Sequence, residues 1–292
     1  MSSTARPSTG VAVGAGALSP PVAPPVTPRI PSRKEDVDDY IFFCEGVRSL
    51  AHLDLLQYKR GQMERRLRSF SERLGIPSLS DYLVLLKRDP EELERFLDRV
   101  TINVSQLWRN PEQWTALGSK VIPQLAASGH IRIWSAGCSY GAECYTLAAV
   151  CLECAPKAKV EIKGTDIDPR MLERARAGVF SQDDVRTAPP ASLSRWFEQT
   201  DEGWQAKREL RKVITFEGAD LLSMKVPVGS YDLVLCRNVV IYFKEDVRDE
   251  LHRRLASSLR SGGFLIVGST ERVSSIGELG LTPTQPFIYR KA

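Results

Sequence analysis

The chain has 292 residues, of which 42% are hydrophobic and 26% charged, a composition typical of globular proteins with one large or two modest domains. Its net charge of +4 is too small to indicate nucleic-acid binding by itself, and no apolar run is long enough to cross a membrane. Residues 1–33 are rich in Pro, Ala, Val, Ser and Gly and lack the basic start and apolar core of a secretory signal. We therefore expect a disordered tail on a cytoplasmic protein.

The six cysteines do not follow a zinc-binding pattern. Cys151 and Cys154 make a C-x-x-C pair, but they continue a helical apolar pattern, and no second pair follows at ribbon or finger spacing. The histidines, His52, His130 and His252, add no ligand pair. We expect reduced, buried thiols, as in a cytoplasmic protein, and no metal site.

Residues 34–100 are expected to form a small helical domain, because apolar residues recur at helical spacing from Val37 to Leu53 and beyond. Pro90 is expected to begin a later helix, with acidic residues in its first turn. The helix predicted at residues 59–74 is strongly cationic, which is consistent either with a solvated amphipathic face or with a docking surface for an acidic partner. Its candidate docking residues are Arg60, Arg65, Arg66 and Arg68.

Residues 101–118, which begin TINVSQLWRNPEQW, are expected to link this domain to an α/β domain at residues 119–292. In that domain, an apolar strand near residues 131–134 is followed by a turn with Gly137 and Gly141 and by helix-forming residues from Ala142. A strand, a glycine turn and a helix start open the ligand crevice of an open α/β sheet. The G-x-G-x-x-G fingerprint is missing, which argues against a dinucleotide dehydrogenase.

A second strand, at residues 160–165, is followed directly by Asp166. A carboxylate at this position of a β–α–β unit accepts hydrogen bonds from the two hydroxyls of a ribose, so Asp166 is the ribose-binding candidate. Asp168 is expected to cap the helix at residues 169–177.

Three further strands are expected at residues 213–217, 231–235 and 264–267, with a last short strand at 286–290. Residues 181–211 interrupt the alternation, and 198–211 are compatible with a short hairpin. A helix is predicted at residues 247–259 and a turn at Gly262 and Gly263. The polar residues that follow the strands should gather at the carboxyl edge of the sheet, where such folds bind ligands.

Five landmarks occur in order along the chain: TINVSQLWR, WSAGCSYGAECYTLA, GTDIDPRMLERARAGVF, YDLVLCRNVVIYF and LRSGGFLIVGSTE. Together they make the chain resemble the CheR-type chemotaxis receptor methyltransferases, which are S-adenosylmethionine-dependent protein-glutamate O-methyltransferases. The resemblance extends from about residue 38 to the C-terminus. It implies a helical N-terminal domain on a Rossmann-like α/β methyltransferase domain, with S-adenosylmethionine as cofactor and S-adenosylhomocysteine as product.

The resemblance also assigns roles to individual residues. Asn103, Ser105 and Arg109 stand where the family's N-x-T-x-F-F-R motif contacts the cofactor. Tyr242 matches a tyrosine that lies with the motif arginine near the reacting methyl group, so Arg109 and Tyr242 are the catalytic candidates. Glu143 matches the second acid of the family's G-E-E-P-Y-S motif. The expected cofactor contacts are Asn103, Ser105, Arg109, Ala136, Gly137, Glu143, Asp166, Asp220, Leu221, Arg237 and Asn238.

The chain departs from the family pattern at several positions. Ser105 replaces Thr but keeps a hydroxyl, Leu107-Trp108 replaces a Phe pair, and Ala142 and Cys144 replace Glu and Pro. Asp220 replaces an adenine-side Asn and is an acceptor only, so we expect weaker adenine binding. Residues 196–213 are also shorter than the receptor-tail-binding β-subdomain of the enterobacterial type, which predicts activity without a tethering peptide.

The chemistry that the resemblance implies needs no general base, because a glutamate is already ionised at pH 7. Arg109 is expected to orient the carboxylate, and Tyr242 to donate a hydrogen bond to it or to close the pocket. The plainer alternatives are a structural ion pair for Arg109 and an interface aromatic for Tyr242.

The expected partner is the acidic helical coiled coil of a methyl-accepting chemotaxis receptor, held by the cationic helix. Charge reversal at Arg65 and Arg66 is then predicted to weaken methylation with little change in cofactor affinity. We expect a monomer that binds no nucleic acid and does not insert into a membrane. Two alternatives remain open: a non-catalytic, S-adenosylmethionine-sensing regulatory module, and a methyltransferase for RNA or a small molecule.

Overall fold

A computed structural model describes residues 38–101 and 103–292 of the chain. The tail expected at residues 1–33 and the first residues of the expected helical domain, 34–37, lie outside the described residues. Within the described part, no helix is long and apolar enough to cross a membrane.

Four α-helices form the described N-terminal part, from residue 38 on, with side-chain caps at the start of three of them. Asp38 accepts from the Tyr40 N–H, Ser78 from the Asp81 N–H, and Asp89 from the Glu92 N–H, each within the first turn of its helix. Pro90 occupies the predicted first position of the last helix. The helices are α1 (Asp39–Ala51), α2 (Arg60–Arg73), α3 (Leu79–Arg88) and α4 (Pro90–Val100).

An aromatic core holds these helices together. The ring of Phe43 stacks on that of Tyr82 at 5.8 Å and meets the edge of Phe96 at 5.8 Å. All three side chains are buried, and the Tyr82 hydroxyl donates to Oε1 of the buried Glu92 at 3.0 Å. The burial of these rings stabilises the domain by removing apolar area from water.

The remaining chain alternates strands and helices, as predicted. After α5 (Pro111–Ala116) and α6 (Ile122–Ala126), the elements are β1 (His130–Ala136), α7 (Ala142–Cys154), β2 (Lys159–Asp166), α8 (Pro169–Ala177), β3 (Val179–Phe180), α9 (Pro190–Trp196), β4 (Phe197–Thr200), β5 (Gly203–Ala206), α10 (Arg208–Lys212), β6 (Ile214–Gly218), β7 (Tyr231–Cys236), α11 (Glu245–Ser258), β8 (Leu259–Val267), β9 (Leu281–Gln285) and β10 (Ile288–Lys291).

Seven strands form the main sheet in the order β6-β2-β1-β7-β8-β10-β9. The first five are mutually parallel, and β10 pairs antiparallel with both β8 and β9. This Rossmann-like arrangement confirms the predicted fold class. The chain changes direction in the sheet between β1 and β7, and a ligand crevice forms at the carboxyl ends of strands on either side of such a point.

The predicted hairpin after residue 197 is confirmed as β4 and β5, which join β3 in a separate three-stranded sheet. For the C-terminal part, one prediction was wrong and one strand was missed. Gly262 and Gly263 lie inside β8 rather than in a turn, where the β7–β8 register shifts and Gly262 has a φ of 78°. Strand β9 was not predicted; it contains Pro283, which an edge strand tolerates.

Five of the six cysteines are buried, as expected, but Cys154 at the end of α7 is exposed. In the described residues, no three His, Cys, Asp or Glu side chains are grouped so that they could hold a metal ion.

Backbone hydrogen bonds join the helical part to the α/β part next to Tyr242. The Lys59 N–H donates to the Tyr242 carbonyl at 2.9 Å, and the Lys244 N–H donates to the Gln57 carbonyl at 3.0 Å. Between these bonds, the rings of Tyr58 and Phe243 pack edge to face at 5.0 Å. The start of α2 is therefore fixed against the turn that carries Tyr242.

Candidate active site

A deep cleft opens at the carboxyl edge of the sheet, between this edge and the helical part. The structure brings nearly all of the predicted site residues into its wall, which includes Asn103, Ser105, Arg109, Gly137, Glu143, Asp166, Asp220, Leu221, Arg237, Asn238 and Tyr242. Ala136 is the exception, because it is buried in the core beside the cleft rather than exposed to it.

The turn between β1 and α7 is tied to the neighbouring strand. The N–H groups of Gly137 and Cys138 both donate to the Thr165 carbonyl, at 2.8 and 2.9 Å. Gly137 has a φ of 78°, and a Cβ on it would lie 2.5 Å from Cγ2 of Val239. Glycine is therefore required here both by the backbone conformation and by the close approach of the Val239 turn.

Asp166 lies at the end of β2 with its carboxylate fixed by the backbone. Oδ2 accepts from the Ser139 N–H at 2.7 Å, and Oδ1 accepts from the Asp168 N–H at 3.0 Å. Burial raises the pKa of Asp166, whereas these N–H donors lower it. Each carboxylate oxygen has more than one acceptor site, so the group can also accept from two neighbouring hydroxyls. Asp168 caps α8 as predicted.

Asn103 and Ser105 bring the linker against the β1 and β2 turns. Nδ2 of Asn103 donates to Oδ2 of Asp168 at 2.9 Å, and the Ser139 hydroxyl donates to Oδ1 of Asn103 at 3.3 Å. The carbonyl of Ser105 accepts from the Tyr140 hydroxyl. The linker is therefore part of the cleft wall rather than a free connection between the two parts.

Arg237 and Glu143 form a buried ion pair at the bottom of the cleft. Nη1 of Arg237 lies 3.1 Å from Oε2 of Glu143, and the exposed fractions of the two side chains are 3% and 11%. Nε donates to Gln113 at 2.9 Å, and Nη2 donates to the Arg109 carbonyl at 2.9 Å. All three guanidinium nitrogens of Arg237 thus have protein partners, so this residue holds the surrounding elements together at the bottom of the cleft.

The side chains of the catalytic candidates, Arg109 and Tyr242, make fewer hydrogen bonds than that of Arg237. Arg109 makes one side-chain hydrogen bond, from Nη1 to the Val104 carbonyl at 2.7 Å. Its neighbouring backbone is fixed, because its carbonyl also accepts from Nε1 of Trp114 at 2.9 Å. Tyr242 is half-buried in a short 3₁₀ turn, Val240–Tyr242, and its hydroxyl makes no hydrogen bond with any residue that the structure describes.

The Asp220 side chain makes its hydrogen bonds within its own turn. Oδ1 accepts from the Leu222 N–H at 2.9 Å, and Oδ2 accepts from the Ser223 hydroxyl at 2.9 Å. The carbonyl of Leu221 accepts from Nη1 of Arg254 at 2.8 Å. The Asp220 side chain therefore fixes the loop that carries Leu221 into the cleft.

Several lining residues were not predicted, among them Leu53, Asp54 and Tyr58 of the helical part. Burial and the nearby Asp220 and Asp166 carboxylates raise the pKa of Tyr58. The mouth also carries apolar side chains, including Val104, which is 70% exposed. Sequence spacing gives no signal for Tyr58, because its position depends on how α2 packs against Phe243.

A second, more open groove begins at Tyr242, Asn103 and Val104 and follows one face of α2. The structure separates the four predicted docking arginines. Arg65 and Arg66 line this groove, whereas Arg60 and Arg68 do not. Arg60 pairs with Asp38 at 2.6 Å and Arg68 pairs with Glu64 at 2.7 Å, so the charge of these two is largely neutralised within the domain.

The chain is similar to known proteins along nearly all of its described length. Residues 103–283 match the family described as CheR methyltransferase, SAM binding domain, and residues 38–101 match the CheR methyltransferase all-alpha domain. A chemotaxis protein methyltransferase of Listeria innocua is 34% identical over 255 residues, which cover 87% of this chain and 97% of that protein. A chemotaxis protein methyltransferase of Borreliella burgdorferi is 30% identical over 82% of this chain and 89% of its own length. Chemotaxis protein methyltransferase 1 of Vibrio cholerae is 30% identical over 82% of this chain and 90% of its own length.

Proposed function

The chain belongs to the CheR methyltransferase family and is an S-adenosylmethionine-dependent methyltransferase, and from this premise we propose that it methylates glutamate carboxylates on the cytoplasmic domain of a chemotaxis receptor. The observation that carries the proposal is the junction at Tyr242, where the cleft at the sheet edge meets the cationic groove on α2. The family match and the named methyltransferase relatives do not favour a non-catalytic module.

The cleft residues fit S-adenosylmethionine. The anchored Asp166 carboxylate suits the two ribose hydroxyls, and Leu221 offers an apolar contact for the adenine. The backbone at Gly137 can approach a ligand closely because it carries no Cβ, and a Cβ there would lie 2.5 Å from Cγ2 of Val239. Asn103 and Arg109 from the linker also line the cleft. When bound, S-adenosylmethionine supplies an electrophilic methyl group on its sulfonium sulfur.

The chain's own residues have to orient and shield the substrate carboxylate. A glutamate is ionised at pH 7, so its oxygen attacks without a general base, and no histidine lines the cleft among the described residues. In this proposal the Arg109 guanidinium, which lines the cleft, holds this carboxylate. The Tyr242 hydroxyl, which has no hydrogen-bond partner among the described residues, donates to it. The exposed Val104 at the mouth would be covered by the substrate, which excludes water from the reacting atoms.

The α2 groove fits an acidic helix. Gln62, Arg65, Ser69 and Arg73 recur at helical spacing and so lie on one face of α2. Arg65, Arg66 and Arg73 form no ion pair with any described residue. Asp98, which lines the same groove, is held by Arg170 at 2.7 Å. The groove therefore presents unpaired positive charge on the path to Tyr242, which complements a helical coiled coil rich in glutamate.

The test is methyl transfer from radiolabelled S-adenosylmethionine to purified receptor cytoplasmic fragments. We expect label on the receptor that base releases as methanol, because glutamate methyl esters are hydrolysed by base and N-methyl groups are not. A receptor fragment whose methylation-region glutamates are changed to alanine is the matched control. Stable, base-resistant label, or transfer to RNA in preference to the receptor, would contradict the proposal.

A further inference from the structure

The buried carboxylate of Glu271 links two strand ends behind the cleft. Glu271 follows β8 and is 3% exposed. Its Oε2 accepts from the Asn238 N–H at 2.9 Å and from the Gly268 N–H at 2.6 Å. Asn238 follows β7 and Gly268 follows β8, and these two strands are paired in parallel. One carboxylate oxygen therefore joins two adjacent loops at the carboxyl edge of the sheet.

The backbone around this carboxylate is shaped to hold it. Asn238 has a left-handed conformation with a φ of 61°, which turns its N–H toward Glu271. A Cβ on Gly268 would lie 2.6 Å from Oε2 of Glu271 and 3.0 Å from the Asn238 nitrogen. The N–H groups of Asn238 and Gly268, which come from two separate loops, converge on one point and form a concave site for an anion, here called the nest. Here the occupant of the nest is a side chain of the same molecule.

The turn held by Glu271 reaches the cofactor cleft directly. Asn238 and Val239 both line the cleft. Cγ2 of Val239 packs against Gly137, where a Cβ would come within 2.5 Å of it. A shift of the Asn238–Val239 turn by a fraction of an ångström would therefore change the gap at Gly137, where the backbone approaches the ligand.

We propose that Glu271 is a positioning residue for the methyl-transfer reaction, which acts by holding the Asn238–Val239 turn against Gly137. Glu271 does not line the cleft. Burial raises the pKa of Glu271, while the two N–H donors and the nearby Arg237 lower it. The inference rests on the proposed cofactor cleft. It adds that a residue outside the cleft fixes the geometry of the cleft wall at Gly137.

The test measures the Kd for S-adenosylmethionine by titration calorimetry on the full chain, on four single variants and on one double variant. E271A removes the carboxylate that accepts from the two N–H groups, and we expect its Kd to rise about tenfold or more. E271Q keeps one carbonyl oxygen that can accept both N–H groups, so its Kd should stay within about threefold of that of the unmodified chain. E278A changes an exposed glutamate in the same loop and should bind like the unmodified chain.

The fourth variant, G268A, disturbs the same contact from the backbone side. It provides a second test of the inference if E271A folds poorly. Its added Cβ would push the carboxylate out of the nest, so its loss of affinity should equal that of E271A, and the double variant should be no worse. A purely structural role would lower the Tm of E271A and G268A but leave the Kd unchanged well below the Tm, and that result would overturn the inference. If the unmodified chain itself fails to bind, the proposed cleft has failed rather than Glu271.

Discussion

Nη1 of Arg237 lies 3.1 Å from Oε2 of Glu143, and this buried pair joins the end of β7 to the first turn of α7. Glu143 also accepts from the Ser135 hydroxyl at 2.8 Å. Because the Arg237 side chain is only 3% exposed, removal of Glu143 leaves a buried cation without its ion-pair partner.

We therefore expect E143A to lower the free energy of unfolding by about 3–5 kcal/mol, whereas E143Q, which keeps an acceptor, should cost less. Urea denaturation followed by circular dichroism measures both. E173A, which removes an exposed glutamate from α8, is the control and should be nearly neutral. An E143A variant as stable as E173A would show that Arg237 does not depend on this pair.

The two pairs of arginines on α2 should differ in receptor binding. R65Q/R66Q removes two charges from the groove beside Tyr242 that pair with no acid in the described part of the chain, and we expect the KM for the receptor fragment to rise about tenfold. R60Q/R68Q removes the same amount of charge from residues that are already paired with Asp38 and Glu64, and its KM should change less than about threefold. The Kd for S-adenosylmethionine should be unchanged in both. Equal losses in both variants would count against a docking role specific to the groove.

Tyr242 should affect the reaction rate rather than cofactor binding. Y242F removes the hydroxyl that we place against the substrate carboxylate, and the loss of a hydrogen bond to a charged group should lower kcat about tenfold to a hundredfold. The Kd for S-adenosylmethionine should remain the same, since the ring and its turn are kept. Steady-state methylation kinetics measure the effect. A kcat equal to that of the unmodified chain would show that the Tyr242 hydroxyl takes no part in the reaction and that Tyr242 is only an interface aromatic residue.

His252 should make the protein less stable in mild acid. Burial, with Arg248 nearby, lowers its pKa to about 4, below the ordinary value of 6.5. The unfolded chain therefore binds a proton as the pH falls through 6.5, while the folded chain does so only near pH 4. The contribution of His252 to the free energy of unfolding is fully present above pH 6.5 and is lost between pH 6.5 and 4, by roughly 3 kcal/mol in total.

The measurement is urea denaturation at several pH values. Neither ring nitrogen of His252 has a hydrogen-bond partner in the described residues, so H252L should be tolerated and should remove most of this slope. H52N changes an exposed histidine and should leave the slope as it is. A slope that persists in H252L would assign the acid sensitivity to other groups.

The sequence predicts the sheet and the position of Asp166 well, because both follow from local patterns. Apolar runs such as Tyr231–Cys236 identify buried parallel strands, and a carboxylate directly after a strand must lie at the sheet edge. The motif positions taken from the resemblance also meet in one cleft, apart from the buried Ala136.

Features that depend on distant packing were less predictable. The ion pairs of Arg60 with Asp38 and of Arg68 with Asp39 could not be foreseen, because these acids reach α2 only when α1 packs beside it. The pairs that both arginines form with Glu64 are local, at i,i+4 spacing on α2. The glycine pair at Gly262 and Gly263 resembles a turn in sequence, and only the register of β7 against β8 places it in a strand.

The most direct test of the account is a calorimetric titration of the full chain and of D166A with S-adenosylmethionine and S-adenosylhomocysteine. The account predicts micromolar binding of both ligands to the unmodified chain and its loss in a D166A variant that remains folded, because the ribose hydroxyls lose their acceptor. Unchanged binding to D166A would place the cofactor elsewhere. An absence of binding to the folded, unmodified chain would contradict the account as a whole.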